Sequence, residues 1–182
     1  MNSQRVLPLV PPYPPDIQAA FDTVMRGAPP LQLFRTVARN PRVLTRMMAG
    51  GLLDRGSIPV RARELMILRT TARCGAEYEW GVHIAVYAAK AGLTEPERRA
   101  TRHGVAADWP VPEDALVVEL ADALHEHSDI DDALWARLKA VYADEQLIEL
   151  IMLSGLYHAV SYLVNGLRVV REAFAPGFPA AG

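Results

Sequence analysis

Glu64, Glu79 and His83 are the residues of this 182-residue chain whose types and spacing suit proton transfer. Glu79 and His83 stand four apart in "CGAEYEWGVH" (74–83), so on a helix they share a face with Val82 and Val86. Upstream, Glu64 falls on one helical stripe with Ile67, Leu68 and Thr71. A carboxylate on that stripe points at the core, while Arg61, Arg63 and Arg69 lie off it. Arg63 and Arg69 are therefore expected at the surface, in reach of an anionic substrate or a neighbouring subunit. Two antiparallel helices joined near Gly75 would bring Glu64 up to Glu79 and His83. Burial raises a carboxyl pKa, and an adjacent imidazole shares or relays the proton, which suits general acid-base work near neutral pH. The same pattern fits a hydrogen-bonded pair that only joins two helices.

Other reactive types carry weaker signals. Cys74 is the single cysteine, which excludes an internal disulfide framework and suits a reducing cytoplasm. It reads as a small residue packed at a helix end, with a role in redox chemistry as the alternative. Glu64, Glu79 and His83 could offer a hard three-ligand metal site, but no fourth ligand is evident, so no metal or other cofactor is expected. The "HEH" at 125–127 reads as a solvated helix end, as does His103, and His158 as a core histidine. Trp80, Tyr78 and Tyr157 read as core or interface aromatics that could line a pocket over the Glu-His pair and stack on a cyclic substrate.

The elements that must position these residues are helices. The first 16 residues hold five prolines and predict an extended arm, after which Asp16 could cap a helix over 17–26. Helical spacing resumes in "LQLFRTVARN" and again from Pro41, weakened at Gly50 and Gly51. Ser57 and Pro59 predict a cap and first turn for a helix closing at Gly75, and a helix over 76–91 follows. "TEPE" at 94–97 is a capping-box pattern, and further helices are predicted at 113–126, 130–142 and 145–172. No alternating strand pattern is visible, so the chain reads as all-α, one domain over 17–174 with a frayed tail at 175–182. A faint internal repeat pairs 63–83 with 148–168 at a shift of 85, setting Glu64 against Glu149 but His83 against Arg168.

Composition narrows the partners. A formal charge of −2 without a basic block argues against nucleic acid. The N-terminal stretch lacks the apolar core of a signal peptide. The apolar run at 147–170 carries Glu149, His158, Ser161 and Asn165, which favours a buried helix over a membrane span. A cytoplasmic protein is expected.

The segment "RELMILRTTARCGAEYEWGVHIAVYAAKAGLT" resembles the core motif of the carboxymuconolactone decarboxylase and alkylhydroperoxidase D superfamily, all-α proteins that are usually homo-oligomers. In its peroxidase branch a glutamate precedes Cys-x-x-Cys and a histidine; Glu64, Ala76, Glu79 and His83 fall on those four positions. Both thiols are missing, and the decarboxylase branch is similar to this variant in having Glu-x-x-x-His. The resemblance implies an alkylhydroperoxidase D-like bundle, a homo-oligomer acting on a small molecule. It also implies a cofactor-free lyase or isomerase for a small carboxylate or lactone, with His83 moving the proton, Glu79 assisting and Glu64 orienting. Peroxidase activity through Cys74 is the first alternative. A non-catalytic binding or scaffold protein, in which the three residues would be sealed in dry packing, is the second.

Overall fold

The computed structural model describes residues 4–180 and is built from helices, with no strand among the described residues. Nine α-helices follow in order: α1 Pro15–Met25, α2 Gln32–Val37, α3 Pro41–Ala49, α4 Val60–Arg73, α5 Glu77–Tyr87, α6 Glu95–His103, α7 Pro112–His127, α8 Asp132–Lys139 and α9 Asp144–Leu167. A 3₁₀ turn, Ala106–Asp108, separates α6 from α7.

α4 is the axis of the bundle. It packs against α5, α6, α7 and α9, so every residue from Ala62 to Ala72 is buried. That overturns the surface placement of Arg63 and Arg69, because a helix covered on all sides has no solvated face. Each arginine is buried with a partner. Arg69 forms a fork to Asp122, 2.7 Å for each of two bonds, and donates to the carbonyl of Thr101. Arg61, at the edge of the contact, bridges Asp114 and Glu97. Glu97 in turn accepts the N–H of Thr94 at 2.7 Å, the contact that "TEPE" predicts.

The turn after α4 is dictated by Gly75, whose φ of +64° favours glycine. Its N–H bonds Ala72 and that of Ala76 bonds Thr71, a Schellman ending that satisfies the last carbonyls and sends α5 back along α4. The repeat does not reproduce this turn. Val160 stands where Gly75 does, is buried, and leaves α9 a single continuous helix. Glu149, the counterpart of Glu64, is only half-buried and accepts the N–H of Ser57 at 2.7 Å.

Boundaries move for local reasons. α1 starts at Pro15, whose ring suits the first turn, so Asp16 lies inside the helix rather than capping it. α3 stops at Gly50. α8 runs over Asp132–Lys139, with the Asp131 side chain accepting the N–H of Leu134 as its cap. α9 ends at Leu167 instead of 172, with Arg168 in the left-handed region. The arm is extended but tied down, Leu9 exchanging bonds with Arg35 and Arg5 N–H bonding Leu167; its residues 1–3 lie outside the described range. The C-terminal segment is packed rather than frayed. Phe178 rests on Trp80 with Arg102 over its ring, and a Cβ on Gly81 would stand 2.2 Å from the carbonyl of Pro176. Residues 181–182 of that segment fall outside the described range.

Replacing Arg69 with alanine removes both bonds of the fork and leaves Asp122, partly exposed, with Arg73 at 3.5 Å. We expect unfolding in urea to show a loss of about 2 kcal/mol, with wild-type stability refuting the weight given to this pair.

Candidate active site

The antiparallel α4 and α5 place Glu64 against His83. The Oε2 of Glu64 lies 2.7 Å from Nδ1 of His83, and the carboxylate is fully buried. Its Oε1 accepts Nε–H of Arg63 at 2.9 Å. Arg63 is itself anchored to the carbonyl of Leu53 at 2.8 Å and lies over the Tyr87 ring. Both oxygens of Glu64 are thus engaged by neighbouring side chains. Its burial is sustainable because a guanidinium and an imidazole compensate the charge.

On α5, Glu79, His83 and Tyr87 follow at intervals of four. Nε2 of His83 lies 3.4 Å from Oε1 of Glu79 and 3.0 Å from the hydroxyl of Tyr157 on α9. Oε2 of Glu79 is shielded and has no hydrogen-bond partner among the described residues. Burial alone would push the His83 imidazole down, but hydrogen bonds and charge from Glu64 and Glu79 outweigh it and raise the pKa from 6.5 to about 9. At neutral pH His83 is then an imidazolium with a proton on each nitrogen. Burial, with Glu79 and Glu64 nearby, holds the Tyr157 hydroxyl well above its ordinary value, so it keeps its proton.

A cavity of about 600 Å³ opens beside this group, walled by Val24, Met25, Phe34, Val86 and Tyr87 with Glu79 and His83 in its lining. A second lobe of about 440 Å³ shares Val24, Phe34, Leu53 and Glu79 with the first and adds Arg26, Met48 and Tyr157. Glu79 thus stands where the lobes meet. The walls from α1 to α3 carry no sequence signal of their own, because they become walls only when those helices fold over α5.

The other residues singled out from sequence go elsewhere. Tyr78 does not line the cavity; its hydroxyl accepts the N–H of Leu33 at 3.0 Å and donates to Glu172 at 2.7 Å, bracing α2 and the C-terminal segment. Trp80 faces away, donating to Thr101 at 2.9 Å. Cys74 ends α4, ten residues from Glu64 or about 15 Å along the helix, and burial pushes its thiol up. It lies 3.8 Å from His125, which in turn is 3.1 Å from His158, so neither histidine has its expected surroundings. His125 is half-buried rather than solvated, and His158 is only partly buried.

The Carboxymuconolactone decarboxylase family model matches residues 40–123, the span that holds Glu64, Glu79 and His83. No curated protein sequence matches. Among solved structures, a peroxidase-related protein from Silicibacter sp. TM1040 superposes with a TM-score of 0.80 at 16% identity, over 98% of this chain and 97% of that one. A cysteine-to-alanine variant of the debrominase Bmp8 in complex with 2,3,4-tribromopyrrole gives 0.77 at 16% identity, over 96% and 94%. A protein described as an alkylhydroperoxidase AhpD core, peroxidase-related, from Ralstonia eutropha JMP134 gives 0.78 at 16% identity, over 95% and 94%. At such identity these likenesses speak for the fold alone.

The raised His83 pKa has a consequence for stability. A folded value above the unfolded one contributes stability that is complete below pH 6.5 and fades as pH rises through about 9. Urea midpoints between pH 6 and 10 are expected to fall across that window in the wild type. The decline attributable to this group should be absent in His83→Gln, and a parallel decline in both would contradict the assignment.

Proposed function

We propose that this chain, whose residues 40–123 match the Carboxymuconolactone decarboxylase family model and whose fold is that of alkylhydroperoxidase D-like proteins, is a lyase or isomerase that moves a proton on a small cyclic carboxylate or lactone. The observation that carries this reading is the pairing of Glu79 with a cationic His83 in the lining of an apolar cavity.

The roles follow from the hydrogen bonds. Glu79, with one oxygen unused, is the proton acceptor for a carbon next to a carbonyl. The C–H bond electrons pass to the carbonyl oxygen, where His83 or the Tyr157 hydroxyl donates to the developing negative charge. Glu64 and Arg63 stay off the substrate. Glu64 holds Nδ1 and so aims Nε2 at the cavity, while Arg63 offsets the carboxylate charge. Return of the proton from Glu79 to a different carbon completes an isomerisation. Where the carbon carries a carboxylate instead, cleavage of the C–CO₂ bond releases CO₂ and leaves the electron pair on the carbon, and His83 protonates that carbon and regains its proton from solvent, completing a decarboxylation. Both proton partners are side chains, so no step needs a cofactor.

Size and lining support a compact ring. The family name denotes a decarboxylase of a lactone, and the debrominase neighbour holds a substituted pyrrole. An apolar lobe of about 600 Å³ suits such a molecule, and Arg26 in the second lobe suits its carboxylate. The cavity also weighs against a scaffold role, which needs none. Thiol peroxidase chemistry draws little support: Cys74 lies at the far end of α4 and no second thiol exists to resolve a sulfenate.

Hydrogen-deuterium exchange at carbon, followed by NMR over a panel of lactones and cyclic keto acids, tests this directly. Glu79→Gln is expected to slow exchange or turnover by about 10²- to 10⁴-fold with the fold intact. A folded Glu79→Gln protein working at the wild-type rate would exclude the mechanism.

A further inference from the structure

Three potential metal donors converge beside a groove that shares no lining residue with the cavity, each from a different helix. Cys74 ends α4, His125 lies in the last turn of α7, and His158 is in the middle of α9. Sγ of Cys74 is 3.8 Å from Nδ1 of His125, Nδ1 is 3.1 Å from Nε2 of His158, and all three atoms lie within 4.8 Å of one another.

We propose that Cys74, His125 and His158 form a binding site for a borderline transition-metal ion of the zinc type, with a fourth position open to water or another small donor. Zinc bonds to sulfur at about 2.3 Å and to nitrogen at about 2.0 Å; a tetrahedral angle then sets S···N near 3.5 Å and N···N near 3.3 Å. The observed 3.8 and 3.1 Å differ from these by shifts small enough for side-chain rotation alone.

The surroundings prepare the donors. Nδ1 of His158 lies 2.9 Å from the carbonyl of Ser154, and since a carbonyl only accepts, that nitrogen carries the proton and Nε2 presents its lone pair. This is the outer hydrogen bond that orients a ligating imidazole. The Cys74 backbone is held in turn by Asn165, which donates to its carbonyl at 2.9 Å. Without a metal, a proton on Nδ1 of His125 can serve His158 but not Cys74 as well. A cation satisfies all three at once, and the thiol proton leaves to solvent. Thiolate and imidazole together select zinc-like ions over magnesium or calcium. The fourth position faces a groove of about 350 Å³ between α7 and α9, lined by Leu124, Ser128, Ile151 and Tyr162.

The test uses the metal-stripped full chain titrated with Zn²⁺, and with Co²⁺ as a spectroscopic substitute. One equivalent should bind, raise the thermal midpoint, and with cobalt show a thiolate charge-transfer band and intense tetrahedral d–d bands. Cys74→Ala and His158→Ala should each weaken binding at least tenfold while Glu79→Gln leaves it unchanged. Binding that survives Cys74→Ala would point to chelation by exposed histidines and overturn the site. Should a variant fail to fold, the wild type still decides, since a cobalt complex without the thiolate band, or no stoichiometric binding, refutes the proposal.

Discussion

The hydrogen bond between Glu64 and His83 is the constraint around which the rest is arranged. A carboxylate with no exposure is costly unless compensated, and here Arg63 takes one oxygen and His83 the other. That bond requires α5 to run back along α4, which the left-handed turn at Gly75 provides. It also keeps the imidazole charged in a place where burial alone would neutralise it. The bond joining the two helices therefore also sets the protonation state of the imidazole.

The site is asymmetric about His83. On the Nδ1 side the partners are saturated, with Glu64 fully used and Arg63 pinned to Leu53. On the Nε2 side capacity is left over, with a second oxygen on Glu79 lacking a partner among the described residues and the Tyr157 hydroxyl pushed towards staying protonated. A buried polar atom without a partner costs on the order of 1–3 kcal/mol. Glu79 itself lines both lobes of the cavity. Ala76 and Glu79 stand at the positions where the resemblance puts the cysteines of a dithiol relative.

Much of this was legible in the residues, and what was not has a common cause. The intervals of Glu79 and His83, the stripe of Glu64 and the glycine at 75 are local signals, and they place the three groups together. Partners supplied from far along the chain are not local. The fork from Arg69 to Asp122 spans 53 positions, and an arginine off the apolar stripe looks solvated until α4 is seen to be covered on all sides. Tyr78 and Trp80 are the core aromatics that their residue types suggest, but their neighbours are distant ones: the helix turns them away from the pocket, to Glu172 and Thr101. The end of α9 and the docked C-terminal segment depend on similar distant contacts, as Phe178 on Trp80 illustrates.

The central claim is that His83 is held as a cation between two carboxylates, and nitrogen NMR of its ring reports this most directly. At pH 7.5, uniformly labelled protein should show both His83 ring nitrogens protonated, with shifts of an imidazolium that persist until the pH approaches about 9. A neutral ring at pH 7.5, with one nitrogen at the shift of a bare lone pair, would contradict the account.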